Sequence, residues 1–105
     1  MNNLFESLSL ASTDEIVDVL AEGRSVRIER IVSTGHASPA DFWYDQDEHE
    51  WIAVLRGEAM LELPGEPAVT MRPGDTRLVR AHQKHRVAWT SPNEPTVWLA
   101  VFFRD

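Results

Sequence analysis

No cysteine occurs anywhere in the 105 residues. That excludes a disulfide framework, a thiolate metal site and a thiol nucleophile. Basic residues are few: ten, against 17 acidic ones, leave a formal charge of −7. A field of that sign repels nucleic acid and anionic membranes, so neither is expected as a partner. No apolar run approaches the roughly 20 residues needed to cross a bilayer. The opening Met1-Asn2-Asn3-Leu4-Phe5-Glu6 has neither the basic start nor the apolar stretch of a signal peptide, which points to the cytoplasm. Also missing are a phosphate-cradling glycine loop, a nucleophile elbow and any basic helix suited to DNA. With no internal repeat and no linker, the length suits one domain.

What is present reads as one short helix followed by strands. Ser12 and Glu15 fit a capping box, Ile16, Val17 and Leu20 share a helical face, and Gly23 supplies a stop. Residues 1–24 are therefore expected as an N-terminal segment with that helix, lying against a barrel domain over 25–105. From Val26 the texture changes: Val26 and Ile28 alternate with Arg27 and Glu29, the period of a strand with its apolar face buried. Phe42-Trp43-Tyr44 is a short aromatic strand candidate. Further strands are expected over 50–56, 58–63, 68–71, 76–80, 85–90 and 96–103. Gly57, Pro64-Gly65-Glu66-Pro67 and Pro73-Gly74-Asp75 supply turns or bulges between them. Short strands punctuated by Gly and Pro indicate a sandwich or closed barrel.

The last strand is apolar on both faces. Val97, Leu99, Val101 and Phe103 alternate with Trp98, Ala100 and Phe102, so one set fills the barrel and the other needs cover. Trp51, Ala53 and Leu55 pose the same problem. The cover is either the N-terminal segment or a second copy of the chain, and a homodimer is the expectation.

Two spacings identify the fold. Glu50 is followed after six residues by Gly57, and Arg72-Pro73-Gly74-Asp75 is followed by Arg80-Ala81-His82-Gln83-Lys84-His85. These resemble the paired signatures of the cupin family, over about residues 26 to 103. The resemblance implies an all-β double-stranded β-helix, a small jelly-roll barrel, here preceded by the short N-terminal helix. Many cupins hold a divalent metal with three histidines and one glutamate. Carried over position by position, this chain keeps Glu50 and His85, whereas the His-x-His positions fall on Tyr44 and Gln46, or on Trp43 and Asp45. In the second motif Arg80 stands for proline, His82 for glycine and Trp89 for asparagine.

Glutamate and imidazole suit zinc, manganese, iron or nickel, and an amide oxygen is a weaker ligand. The expected metal set is Gln46, Glu50, His85 and His82, with Asp45 and His49 as other candidates. His49 adjoins Glu50, so strand alternation sends it to the opposite face. Without a metal, Glu50 and His85 can simply hydrogen-bond to each other. Tyr44, Arg80 and Trp89 are expected to line a ligand pocket, Trp89 sharing a face with Val87 and His85 if the strand is regular. Arg86 serves either as an anion clamp or as a partner for the abundant acids.

Three functions compete. In an enzyme, Glu50 and His85 hold a metal or act as acid and base on a sugar-like or carboxylate substrate, with isomerase-like chemistry among the options the resemblance implies. In a binding or sensing module they are hydrogen-bonding groups for a small molecule. In a scaffold, the outer apolar face and Trp98 carry the function.

Overall fold

The computed structural model describes residues 3–8 and 14–105. Its strands, in chain order, are β1 (Ile16–Glu22), β2 (Val26–Ser33), β3 (His49–Arg56), β4 (Ala59–Glu62), β5 (Val69–Met71), β6 (Thr76–Val79), β7 (Arg86–Thr90) and β8 (Thr96–Phe103). Every pairing is antiparallel, in a five-stranded sheet ordered β1-β2-β8-β3-β6 and a three-stranded sheet ordered β5-β4-β7. The inner faces share one core: Ile52, Val54, Trp98 and Ala100 from the first sheet meet Ala59, Leu61 and Met71 from the second. Among the described residues there is no α-helix, and none is long and apolar enough to cross a membrane.

The expected N-terminal helix is therefore replaced by a strand. Residues 16–22 pair with β2 from Ile16↔Val32 to Glu22↔Arg27, with a bulge between Val19 and Ala21. Gly23 closes this hairpin, its N–H donating to the Val26 carbonyl at 2.8 Å. Ile16, Val17 and Val19 are β-branched, which costs a helix χ1 freedom and suits a pleated surface. Pairing with β2 outweighs a helical spacing of only two turns. Ser12, the expected cap, lies outside the described residues.

β2 differs from expectation in its faces. Arg27, Glu29 and Ile31 point into the barrel, because Arg27 pairs with Phe102 and Ile31 with Trp98, both core residues. Val26 is exposed. The polar set faces inward here because its charges satisfy each other: Arg27 Nε donates to Glu29 at 2.7 Å and its fork reaches both oxygens of Glu48.

Trp98 and Phe102 point into the core and not outward, so the outer face of β8 carries Val97, Leu99 and Val101. Part of that face is covered by residues 3–8. Arg30 stands on it, 2 % exposed, donating to the carbonyls of Leu4 and Glu6 and pairing with Asp18 at 2.8 Å. A buried guanidinium needs such partners, so the N-terminal residues are tied down by charge as well as by packing.

Gly57 marks where β3 hands over to β4 across the barrel. Its φ is +86°, and a Cβ built there would lie 2.6 Å from Thr96 Cα and 2.7 Å from the Pro95 carbonyl. Neither backbone atom can yield without moving β8. Gly57→Ala is expected to cost about 3 kcal/mol or more, roughly 12 °C or more in Tm for a domain of this size. Thermal unfolding of the variant checks this; a loss below 1 kcal/mol would show that the turn relaxes freely.

Candidate functional site

Glu50 is the second residue of β3 and points inward with Ile52. It sits 8 % exposed at one end of the apolar core. A lone carboxylate there would be costly, so the fold must bring it a partner. That partner arrives from a connector. Tyr44 and His85 form an isolated bridge, Tyr44 N–H donating to the His85 carbonyl at 2.7 Å and His85 N–H returning to Tyr44 at 3.2 Å. One step further, the His82 N–H donates to the Gln46 carbonyl at 2.7 Å. The two connectors are zipped together, which delivers Tyr44, Gln46 and His85 beside Glu50.

His85, 4 % exposed, places Nε2 3.2 Å from Glu50 Oε1. Its Nδ1 lies 3.2 Å from the Gln83 carbonyl, which can only accept. Two such acceptors favour the imidazolium, the form that donates from both ring nitrogens. Burial pulls the His85 pKa down, but the hydrogen bonds to Glu50 and to the Gln83 carbonyl, with the Glu50 charge, outweigh it, so the pKa lies above the ordinary 6.5. Gln46 Nε2 donates to the same Glu50 oxygen at 3.3 Å. The Tyr44 ring stacks on His85 with centroids 5.4 Å apart, and Phe42 packs edge-on against Tyr44 at 4.8 Å. Burial, then the charges of Glu15 and Glu50, raise the Tyr44 phenol above its ordinary 10.0, so it stays an O–H donor.

These groups open on a cavity of about 200 Å³. Its walls are Val17, Ile31, Ile52, Leu61, Val87, Trp98 and Phe102, and its polar groups are Glu15, Glu29, Tyr44, Gln46, Glu50 and His85. Glu15 and Glu29 were not foreseen. The signal was the period-two pattern of β2, which does mark a strand but leaves open which face is inside.

The structure brings together Tyr44, Gln46, Glu50 and His85, and leaves three expected site residues out. His82 sits at φ +63°, 69 % exposed, its Nδ1 2.9 Å from Asp45. Asp45 is thereby engaged outside the cavity as well. Arg80 is exposed, its backbone N–H held by Gln83 Oε1 at 3.2 Å. Trp89 is exposed because β7 is not regular: a bulge lets Met60 pair with Trp89 but Leu61 with Val87, so Val87 lines the cavity and Trp89 turns outward. His49 lies away from the cavity, accepting from the Ala81 N–H and meeting Asp105 at 3.1 Å. Arg86 is a partner for acids, bound to Glu62 at 2.7 Å and to the Ser38 carbonyl at 2.9 Å.

The donor set decides the metal question. An ion between Glu50 and His85 would meet one carboxylate, one imidazole and the neutral amide of Gln46. Among the described residues no group of three His, Cys, Asp or Glu is placed to hold a metal. The residues present do not fit a tightly held transition metal, which takes three or four such donors.

The sequence profile of the cupin domain matches residues 28–102. A crystal structure of a candidate mannose-6-phosphate isomerase from Ralstonia eutropha JMP134 is 47 % identical, with 100 % of this chain and 98 % of that chain covered and a TM-score of 0.97. An RmlC-like cupin protein from Desulfovibrio desulfuricans aligns at 16 % identity over 97 % of this chain and 94 % of its own, with a TM-score of 0.74. A DMSP lyase from Ruegeria pomeroyi DSS-3 aligns at 19 % identity over 87 % of this chain and 47 % of its own, with a TM-score of 0.72. At those two identities the likeness is one of fold alone. No curated protein matches the chain.

The raised His85 pKa makes stability depend on pH. A folded-state pKa above the unfolded value contributes stability that is complete below about pH 6.5 and is lost as pH rises through the folded value. Wild type is therefore expected to exceed His85→Gln in Tm by more at about pH 6 than at about pH 9. Parallel melting curves for the two proteins across that range would remove the imidazolium from the site.

Proposed function

The chain belongs to the cupin family, and from that premise we propose that its barrel binds a small polar organic molecule on the Glu50–His85 pair without a resident metal. One observation carries this reading. A buried carboxylate–imidazole pair faces a cavity of about 200 Å³ whose walls are mostly apolar. Such a cavity suits a small ligand with an apolar side and one polar end. Tyr44 adds an O–H and Gln46 an amide at that polar end. Arg80, Trp89 and His82, on the outer surface, take no part in the proposal.

A second reading follows from the 47 % identical relative, which is named for an isomerase reaction. The observation that favours it is the 3.2 Å contact between His85 Nε2 and Glu50 Oε1, across which a proton can pass. In such a pair Glu50 can carry the proton from the hydroxyl-bearing carbon to the carbonyl carbon while His85 passes the hydroxyl proton to the carbonyl oxygen, so carbonyl and hydroxyl exchange places with no net change in atoms. The homodimer belongs to the same proposal. It is supported by Trp51, Leu99, Val101 and Phe103, which remain only partly covered on the outer sheet face. Light scattering is expected to give twice the 11.9 kDa chain mass, and a monomer at micromolar concentration rejects the dimer.

Two measurements test the site. Protein purified without an affinity tag, incubated with zinc, manganese, nickel and ferrous iron and then desalted, is expected to retain well under one equivalent of metal by elemental mass spectrometry. Near-stoichiometric metal that disappears in Glu50→Gln/His85→Ala would restore metal chemistry. In a thermal-shift screen of small polar organic compounds, each compound that stabilises wild type is expected to lose its effect on Glu50→Gln, a nearly isosteric change. Shifts that survive the substitution would move the binding site elsewhere.

A further inference from the structure

Resting on the reading that the Glu50–His85 cavity is a ligand site, we infer that its ligand carries a protonated amine, and that the cavity rejects phosphorylated and carboxylated compounds. The charges in the lining are Glu15, Glu29, Glu50 and His85, with no lysine or arginine among the described lining residues. Glu50 and His85 neutralise each other. Glu15 is engaged by the Ser33 hydroxyl, which brings no charge. Glu29 meets Arg27, but that guanidinium is shared with Glu48, so the trio stays net negative. Arg27 turns its nitrogens to Glu29 and Glu48, Arg86 turns its terminal nitrogens to Glu62 and the carbonyls of Ser38 and Pro39, and neither arginine lines the cavity.

The way Glu50 is bonded also favours a donor. Both His85 and Gln46 bond the same oxygen of Glu50, Oε1. Oε2 takes neither of these bonds, and Glu50 lines the cavity. A carboxylate oxygen can only accept, so Oε2 favours a ligand that brings an N–H or O–H. A protonated amine supplies N–H groups and the charge that Glu15 and Glu29 leave uncompensated. The walls suit it too. Tyr44, Trp98 and Phe102 line the cavity, and Phe102 already carries a cation on its ring, the Arg27 guanidinium 4.4 Å from the centroid.

The elevated Tyr44 pKa, after burial, has the same origin, since Glu15 and Glu50 are the charges acting on it.

Three probes of one body and different charge test this: D-mannosamine, D-mannose and D-mannose-6-phosphate, with n-butylamine as an amine lacking the sugar. Titration calorimetry at about pH 6.5 keeps both amines protonated. Mannosamine or butylamine is expected to bind at least about tenfold more tightly than mannose, and the phosphate not detectably. The preference is expected to shrink as salt is raised. Glu15→Gln is expected to reduce amine affinity by a larger factor than mannose affinity. Glu29→Gln, which releases one acid from Arg27, is expected to let the phosphate bind. If mannose-6-phosphate binds wild type as well as either amine and Glu50→Gln abolishes it, the charge inference is wrong and the site stands. Binding of neither amine overturns the inference, and the Glu50→Gln thermal-shift screen then decides separately whether the cavity is a site.

Discussion

A carboxylate placed inside an apolar barrel has to be satisfied, and much of the local architecture follows from how Glu50 is satisfied here. His85 supplies the charge and Gln46 a neutral donor, both on one oxygen. Neither residue belongs to a regular strand. They are delivered by two connectors that hydrogen-bond to each other through Tyr44, His85, Gln46 and His82. Holding that zipper shut needs the polar site, and holding the polar site needs the zipper. The pair is thus a structural joint, and removing one partner leaves the other buried without its counter-charge.

The fold was legible because the strand breaks are written in residues with few alternatives. Pro73-Gly74 closes a turn in which the Asp75 N–H reaches the Arg72 carbonyl, and Gly74 takes φ +94°, a conformation open to few other residues. Gly57 has a comparable φ and no room for a side chain. The strands from β3 to β8 were all foreseen between such breaks. β1 was not, because Ile16, Val17 and Leu20 fit a helical stripe and a strand about equally, and only the edge of β2 decides between them.

Half of the site was legible for a similar reason. Glu50 opens an otherwise apolar strand, and a buried acid demands a partner wherever it is found. Which side chains reach it was another matter. The bulge in β7 reverses Trp89 relative to Val87, and one extra residue in a strand leaves little trace in its composition. His82 depends on a backbone turn at φ +63° that aims its ring at Asp45. Glu29 lies on the polar face of β2, and Arg27 beside it makes the inward position of that face tolerable. Side-chain direction in irregular segments comes from tertiary closure, which sequence periodicity does not record.

The same charge logic separates this site from the metal-holding pattern it resembles. Three imidazoles and one carboxylate leave a set that a dication completes. Replace two of those imidazoles by Tyr44 and Gln46, and one carboxylate faces one imidazole, each able to neutralise the other with a single proton. The contact that would share that proton is the 3.2 Å approach of Nε2 to Oε1. A dication entering the pair would have to displace it and separate the two groups, with only a neutral amide in return. The remaining acids, Glu15 and Glu29, sit along the cavity wall and do not converge with Glu50 into a triad. Their negative field acts instead on whatever crosses the cavity. In this barrel the carboxylate's nearest counter-charge is an imidazole on a facing connector, and that pairing sets the polarity of the cavity.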